Sequence, residues 1–301
     1  MRILVTGGAG FVGTNLIKRL LKDGHEVISI DNYSTGFREN HQDGCTYHDV
    51  DLSDNYWWKL STTDMCEVTC DCEMESVDLI FNLAALARIQ PSLTNPLKTI
   101  RNNFNSALHT LEWARENNTP VLFSGSSTLH HGLWGSPYAW SKYGGEQLCE
   151  LYNKVYDLPT AICRFYNVYG EHQLEDGAYA TVVGIFEKQY RENKPLTITG
   201  DGEQRRDFTH IDDIVDGIVR CGTGLLGNNP ISSGQAYELG RGKNFSINEL
   251  ADMFGEDYPK KYIPPRKGEY PFTLADYTKA NRELGWTPTL NIKDYISEGI
   301  D

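Results

Sequence analysis

The sequence predicts an α/β fold: a doubly wound parallel sheet followed by a smaller, split C-terminal lobe. Three observations carry this reading. A β-branched run opens the chain and ends in a glycine turn, after which apolar residues recur at helical spacing. Short apolar runs then alternate with helical stretches as far as about residue 170, and beyond it the sequence turns irregular and rich in Pro/Gly turns. Alternation of this kind implies parallel strands covered by helices on both faces.

Taken in order, Arg2-Ile3-Leu4-Val5-Thr6 reads as the first strand and runs into Gly7-Gly8-Ala9-Gly10-Phe11-Val12-Gly13. Leu16, Ile17, Leu20 and Leu21 follow at helical spacing, and Asp23-Gly24 stops the helix. Glu26 to Ile30 has the pattern of a buried strand, closes a βαβ unit and ends on Asp31. Further strands are expected over Val77 to Leu83, Val121 to Ser124 and Thr160 to Phe165, with helices over Ala107 to Glu116 and Lys142 to Val155. Past residue 170 a strand fits Leu196 to Thr199 and a helix Asp212 to Cys221. No internal repeat or low-complexity tract interrupts the chain.

Composition narrows the function classes. With 301 residues, 40% of them hydrophobic, and a mean hydropathy of -0.46, the chain reads as a soluble globular protein large enough for a full core. A formal charge of -13 repels a phosphate backbone, so no nucleic-acid partner is expected. No apolar run approaches membrane-spanning length, so no membrane partner is expected either. Seven cysteines without a signal segment argue against a disulfide framework and make the cytoplasm the default compartment. Cys66, Cys70 and Cys72 match no metal-ligand spacing, and no metal is expected.

The glycine turn carries the first chemistry. Gly7 permits the tight turn, Gly10 lets backbone N–H groups approach a pyrophosphate, and Gly13 lets the helix pack on the strand. Asp31 ends the next strand, where a carboxylate accepts from both ribose hydroxyls of a dinucleotide and repels a 2′-phosphate, so NAD is expected over NADP. Arg38 is the nearby feature that would suit NADP. Phe11 and Val12 at the helix start and Asn32 beside Asp31 are counted with the cofactor residues. The chain accordingly divides into residues 1–170, a Rossmann-type NAD-binding domain, and 171–301, mainly a substrate lobe with some segments returning to the first domain.

A second constellation is Tyr138-Ala139-Trp140-Ser141-Lys142, preceded by Ser124-Gly125-Ser126-Ser127-Thr128 at a strand end. Tyr138 and Lys142, four apart, share a helix face, where an ammonium can favour the phenolate. A phenol of ordinary pKa about 10 must fall by roughly 3 units to act as a base near neutrality.

With these residues in place, the sequence resembles the extended short-chain dehydrogenase/reductase family, specifically its NAD-dependent nucleotide-sugar epimerases and dehydratases. The likeness rests on the glycine fingerprint, Asp31, Asp51-Leu52, Asn82-Leu83-Ala84-Ala85, Asn103, the serine run, Tyr138/Lys142, Arg164 to Gly170, Gly200 to His210 and Arg266-Lys267-Gly268-Glu269. The resemblance implies that Asp51 and Leu52 flank the adenine, that Leu83, Ala84, Ala85 and Asn103 belong to the cofactor site, and that Tyr166 lies near the nicotinamide. It implies that Asn167, Arg206, Arg266 and Glu269 grip the nucleotide diphosphate. Two arginines suit that dianion as bidentate donors.

The reaction class turns on the two residues next to the catalytic hydroxyl. The resemblance aligns Ser126 with the hydroxyl that bonds the sugar O4, which puts Ser127 and Thr128 where dehydratases and decarboxylases of the family carry carboxylates. With none there, the sequence resembles the 4-epimerases, and Ser126, Tyr138 and Lys142 are the expected catalytic set, with Ser127 also on the substrate. The expected substrates are UDP-Glc/Gal or UDP-GlcNAc/GalNAc, turned over through a transient 4-keto sugar. Leu129-His130-His131-Gly132 departs from the family pattern, so a nucleotide-sugar reductase or a 3,5-epimerase/reductase with a histidine acid is the alternative, and an NAD-binding sensor or scaffold is the non-enzyme one. Thr273 falls where related epimerases gate the sugar C2 cavity, and its small side chain is expected to admit an N-acetyl group, its hydroxyl to bond the amide. A homodimer through helices near 99–117 and 142–156 is also expected.

Overall fold

The computed structural model describes residues 1–54, 59–61, 71–227 and 230–300, of which 59–61, 71–73, His131 and Ile300 are described in backbone only. The first part of the chain runs β1 (Arg2–Thr6), α1 (Phe11–Lys22), β2 (Glu26–Asp31), β3 (Cys45–Asp49), β4 (Lys59–Ser61), β5 (Asp71–Glu73), β6 (Leu79–Asn82), α2 (Ile89–Thr94), α3 (Pro96–Glu116), β7 (Val121–Ser126), α4 (Thr128–Gly132), α5 (Pro137–Tyr156) and β8 (Thr160–Phe165). The rest runs β9 (Val168–Tyr169), α6 (Val182–Arg191), β10 (Leu196–Thr199), β11 (Arg205–Asp207), β12 (Thr209–His210), α7 (Ile211–Thr223), β13 (Gln235–Leu239), β14 (Asn244–Ser246), α8 (Ile247–Asp252), β15 (Lys260–Ile263), α9 (Thr278–Leu284) and α10 (Ile292–Ile300).

Seven strands form a parallel sheet in the order β13-β8-β7-β6-β1-β2-β3. This is the doubly wound α/β class that the sequence predicts. Alternation within β1 serves both faces: Ile3 and Val5 join Leu16, Ile17, Leu20, Ile214 and Ile218 under α1 and α7, while Leu4 joins Leu111, Phe123 and Tyr152 under α3 and α5. A separate core of Val183, Phe186, Ile198, Phe208, Leu250 and Ile296 holds the smaller C-terminal lobe together. Its strands pair off in short two-stranded sheets, β10 with β15 and β11 with β14. The lobe is not contiguous in space, because β13 pairs with β8 in the main sheet and α7 packs beside α1.

Several boundaries differ from the expected ones. The α5 helix begins at Pro137 rather than Lys142 because Ser136 caps it, its Oγ accepting from Ala139 N–H at 3.1 Å, and Pro137 takes the first helical position. The α3 helix likewise begins at Pro96 rather than Ala107. The strand after residue 77 shortens to β6, and β7 extends to Ser126, so the serine run is itself the strand end.

Candidate functional site

Strand order reverses between β1 and β6, and loops leaving the carboxyl ends of neighbouring parallel strands diverge at such a point. Thr6 ties the two ends together: its hydroxyl donates to Asn82 Oδ1 at 2.9 Å and accepts from the N–H groups of Leu83 and Ala84, each at 3.1 Å. A cleft of about 1050 Å³ opens there, lined by residues from both parts of the chain.

On one side the turn before α1 forms its floor. Gly7 has φ +72°, and a Cβ there would meet Ala84 Cα at 2.9 Å. A Cβ on Gly13 would stand 2.2 Å from the Gly7 carbonyl oxygen. No side chain caps α1, so its first N–H groups face the cleft with the positive end of the helix dipole. Asp31 accepts from Tyr33 N–H at 2.8 Å and Ala9 N–H at 3.0 Å; burial pushes its carboxyl upward and these two donors pull it back. Asn32 donates to Asp51 at 3.0 Å. Gly10, Phe11, Val12, Asp31, Asn32, Asp51, Leu52, Leu83, Ala84, Ala85 and Asn103 all line the cleft. Asn103 holds the loop after β6, its Oδ1 accepting from Leu86 N–H at 2.7 Å. A side-chain-free turn at an uncapped helix end, with a carboxylate at the next strand end, fits a dinucleotide.

In the middle of the cleft the Tyr138 hydroxyl donates to Ser126 Oγ at 3.5 Å, and the Thr128 hydroxyl donates to the same oxygen at 3.0 Å. Ser127 also lines the cleft. Lys142 is buried, and its ammonium donates to Ser124 Oγ at 3.0 Å while lying 4.5 Å over the Phe123 ring. Burial pushes Lys142 down to about 8, with Glu146 pulling it back up. Burial raises the Tyr138 phenol, and the groups drawing it down are the Ser126 hydroxyl and the Arg88 guanidinium. The expected partner of the phenol, Lys142, is thus turned to Ser124, and a cation that sequence spacing does not point to bears on Tyr138 instead.

Gly125, which interrupts the serine run, has a steric cause. A Cβ there would stand 2.5 Å from Glu146 Oε1 and 3.0 Å from Arg164 Cγ. Those two side chains form a buried ion pair at 2.8 Å, so neither end swings away freely.

The opposite wall comes from the lobe. Arg206 donates to the Tyr270 carbonyl at 2.9 Å and stands 3.9 Å from Glu269; Arg266 lines the same wall. Asn167 donates to the Asp207 carbonyl at 3.1 Å and to Thr273 Oγ at 3.0 Å. Thr273 Oγ also accepts from Asp207 N–H at 3.1 Å, so both its lone pairs are engaged and the hydroxyl does not offer a sugar amide N–H an acceptor.

Two further expectations are corrected. Tyr166 is fully buried, donates to Glu238 at 2.7 Å and does not line the cleft; its neighbour Phe165 does. His130 pairs with Glu238 at 2.6 Å, outside the cleft lining, so His130 is not placed as the histidine acid of the alternative reaction. His131 is described in backbone only, Cys66 and Cys70 lie outside the described residues, and the side chain of Cys72 does too. No group of three or more metal-ligating side chains occurs among the described residues. Thr128 of the serine run lines the cleft, and so do Arg88, Tyr179 and Tyr270, to which no spacing or motif points; a lone Arg in the apolar run Ala84 to Ile89 is the one signal available for Arg88.

The model of the NAD dependent epimerase/dehydratase family matches residues 3–224. A UDP-glucose 4-epimerase of Mycolicibacterium smegmatis is 31% identical, the match covering 100% of this chain and 98% of that protein. The structure of a UDP-glucose 4-epimerase of Thermotoga maritima with UDP-glucose superposes with a TM-score of 0.86 at 28% identity, covering 100% and 97% of the two chains. A UDP-glucuronic acid 4-epimerase of Bacillus cereus, solved with UDP-glucuronic acid and NAD, gives 0.84 at 28% identity, covering 100% and 98%.

Proposed function

The chain belongs to the NAD dependent epimerase/dehydratase family, and from that premise we propose that it inverts C4 of a nucleotide-diphosphate hexose, with UDP-hexoses as the substrate class. The observation that carries the proposal is the Tyr138 hydroxyl on Ser126 Oγ, in the same cleft as the glycine turn. NAD supplies the acceptor and then the donor of hydride when bound along Gly7 to Gly13 with its ribose on Asp31. Ser126 orients the sugar O4 hydroxyl, and Tyr138 takes its proton as C4 is oxidised. After the 4-keto sugar turns over in the cleft, Tyr138 returns the proton to O4, and the opposite configuration results. Lys142 keeps a positive charge behind this exchange, fixed by Ser124. Arg206 and Arg266, with Asn167 and Glu269 beside them, hold the diphosphate so that the sugar can turn while the nucleotide stays in place.

The test is incubation of the purified protein with UDP-, dTDP- and GDP-hexoses, with products identified by NMR. Interconversion of C4 epimers without net consumption of cofactor is the expected result; strict consumption of added NAD(P)H makes the protein a reductase. Tyr138→Phe should remove most of kcat and leave nucleotide-sugar affinity nearly intact, because the phenol acts on the proton and not on the ground-state complex.

A homodimer is part of the proposal, supported by Leu97, Leu151, Val155 and Tyr156, which are all exposed on α3 and α5. A cytoplasmic location is supported by the unbridged thiols of Cys45, Cys149, Cys163 and Cys221. Among the described residues no helix is long and apolar enough to cross a membrane.

A further inference from the structure

One cation of the cleft has no role in the proposed reaction. Arg88 precedes α2 and lines the cleft, with its Nε donating to the Tyr179 carbonyl at 3.0 Å. Its two terminal nitrogens meet no protein acceptor, and no carboxylate pairs with it among the described residues. Arg88 is half-buried at the cleft wall, and partial burial without a counterion lowers its pKa. A half-buried guanidinium with its free end toward the cleft is a ready partner for an anion brought by a ligand.

Its neighbours say which part of the ligand that anion belongs to. Gln90, two residues on, donates to the Lys267 carbonyl at 2.7 Å, and a Cβ on Gly268 would lie 3.1 Å from Ile89 Cγ2. The start of α2 therefore abuts the loop that carries Arg266 and Glu269. On its other side Arg88 bears electrostatically on Tyr138. Arg88 thus stands between the phenol at the reacting carbon and the loop assigned to the nucleotide diphosphate, which is where the sugar ring belongs. The cofactor's pyrophosphate has the glycine turn and the nucleotide's has Arg206 and Arg266. What remains for Arg88 is a charge on the sugar itself.

We propose that Arg88 receives a carboxylate at C6 of the hexose, so that the preferred substrate is a nucleotide-diphosphate hexuronic acid. The inference rests on the C4-epimerase reading and deepens it. The free end of a guanidinium tethered through Nε is a two-pronged donor, and it matches a carboxylate with two parallel hydrogen bonds. C6 is borne by C5, the neighbour of the reacting C4, so a cation beside Tyr138 is suitably placed. Oxidation at C4 turns such a sugar into a β-keto acid. Loss of CO2 would then break the C5–C6 bond, send its electron pair toward the C4 ketone, and leave a 4-keto pentose once C5 takes a proton. Arg88 opposes that loss by stabilising the negative charge on the carboxylate, from which those electrons depart.

The test uses the NAD-loaded protein with UDP-glucuronate, UDP-glucose and UDP-N-acetylglucosamine, following kcat, KM and products by NMR. UDP-glucuronate should be favoured in kcat/KM by about tenfold or more, the lower end of what a hydrogen bond to a charged group contributes. Arg88→Gln should shrink that preference by about tenfold to a hundredfold, mainly through KM, and let some pentose product appear; Arg88→Lys should restore part of the preference. Preference of the wild type for a neutral hexose overturns the proposal, as does an unchanged preference in Arg88→Gln. An equal loss on acidic and neutral sugars, with a displaced pH profile, assigns Arg88 to the phenol and also overturns it. If no sugar is epimerised, the function reading itself fails. Calorimetry then decides Arg88 separately: tighter binding of UDP-glucuronate than UDP-glucose that Arg88→Gln abolishes supports the carboxylate site, and equal binding by the wild type overturns it.

Discussion

Glu238 accepts from three donors: His130 at 2.6 Å, the Tyr166 hydroxyl at 2.7 Å and Asp276 N–H at 2.9 Å. Burial alone would raise its carboxyl, yet His130 and the other donors bring it down to about 2. A carboxylate depressed in the folded state adds stability above its unfolded pKa, and that stability is lost as pH falls from about 4.5 toward 2. Glu238→Gln should therefore cost on the order of 2–3 kcal/mol at pH 7 and flatten the dependence on pH below about 4.5, as read by urea unfolding at several pH values. Lys142 gives a dependence of opposite direction, in activity. Its ammonium loses its proton as pH rises through about 8, so kcat should fall on the alkaline side there. Lys142→Arg should move that limb upward at a lower plateau, because a guanidinium stays charged; an unmoved limb would tie it to another group. At this scale the sequence was most legible for Tyr138 and Ser126, which meet in one cleft, whereas the pairing of Lys142 with the phenol, read from spacing, gives way to its bond with Ser124. Arg88 and the Glu238 cluster were not legible, since each is assembled from residues far apart in the chain or carries no periodic signal.

The α5 helix is the element on which the chemistry is mounted. Ser136 and Pro137 fix where it starts, and Tyr138 follows immediately, so the cap sets the position of the phenol as well as the stability of the helix. Ser136→Ala should cost about 1 kcal/mol of stability. It should also lower kcat more than it raises KM, a split that steady-state kinetics would resolve and that a purely structural cap would not produce. The long periodic elements α1, β1, β2 and β8 could be read from apolar spacing, because both faces of the sheet are buried. The start of α5 reads too late in the sequence because Tyr138 to Ser141 contribute little apolar periodicity, although Ser-Pro is itself a start signal. Strands of two or three residues, such as β9, β11 and β12, are too short to show a period and owe their existence to the lobe around them.

For the whole molecule, the exposed apolar side chains of α3 and α5 lie on the side of the sheet opposite α1 and α7. Replacing Leu151 and Val155 by Glu together should convert the proposed dimer into monomers, as sedimentation would show; a wild type that sediments as a monomer would refute the dimer. The fold class was legible from alternation alone, whereas the return of β13 to the main sheet was not, because it depends on a partner 74 residues earlier in the register Gln235 with Ala161. That pairing has a consequence for biosynthesis. Until residues 235–239 emerge, β8 presents an open row of backbone donors and acceptors at the edge of an otherwise finished sheet. A nascent chain halted between residues 224 and 234 would carry six strands with α7 already on them and a sticky border, ready to zip onto a neighbouring nascent chain. The last third of the polypeptide thus acts as the sheet's own selvedge, closing against strangers the border that β8 leaves open.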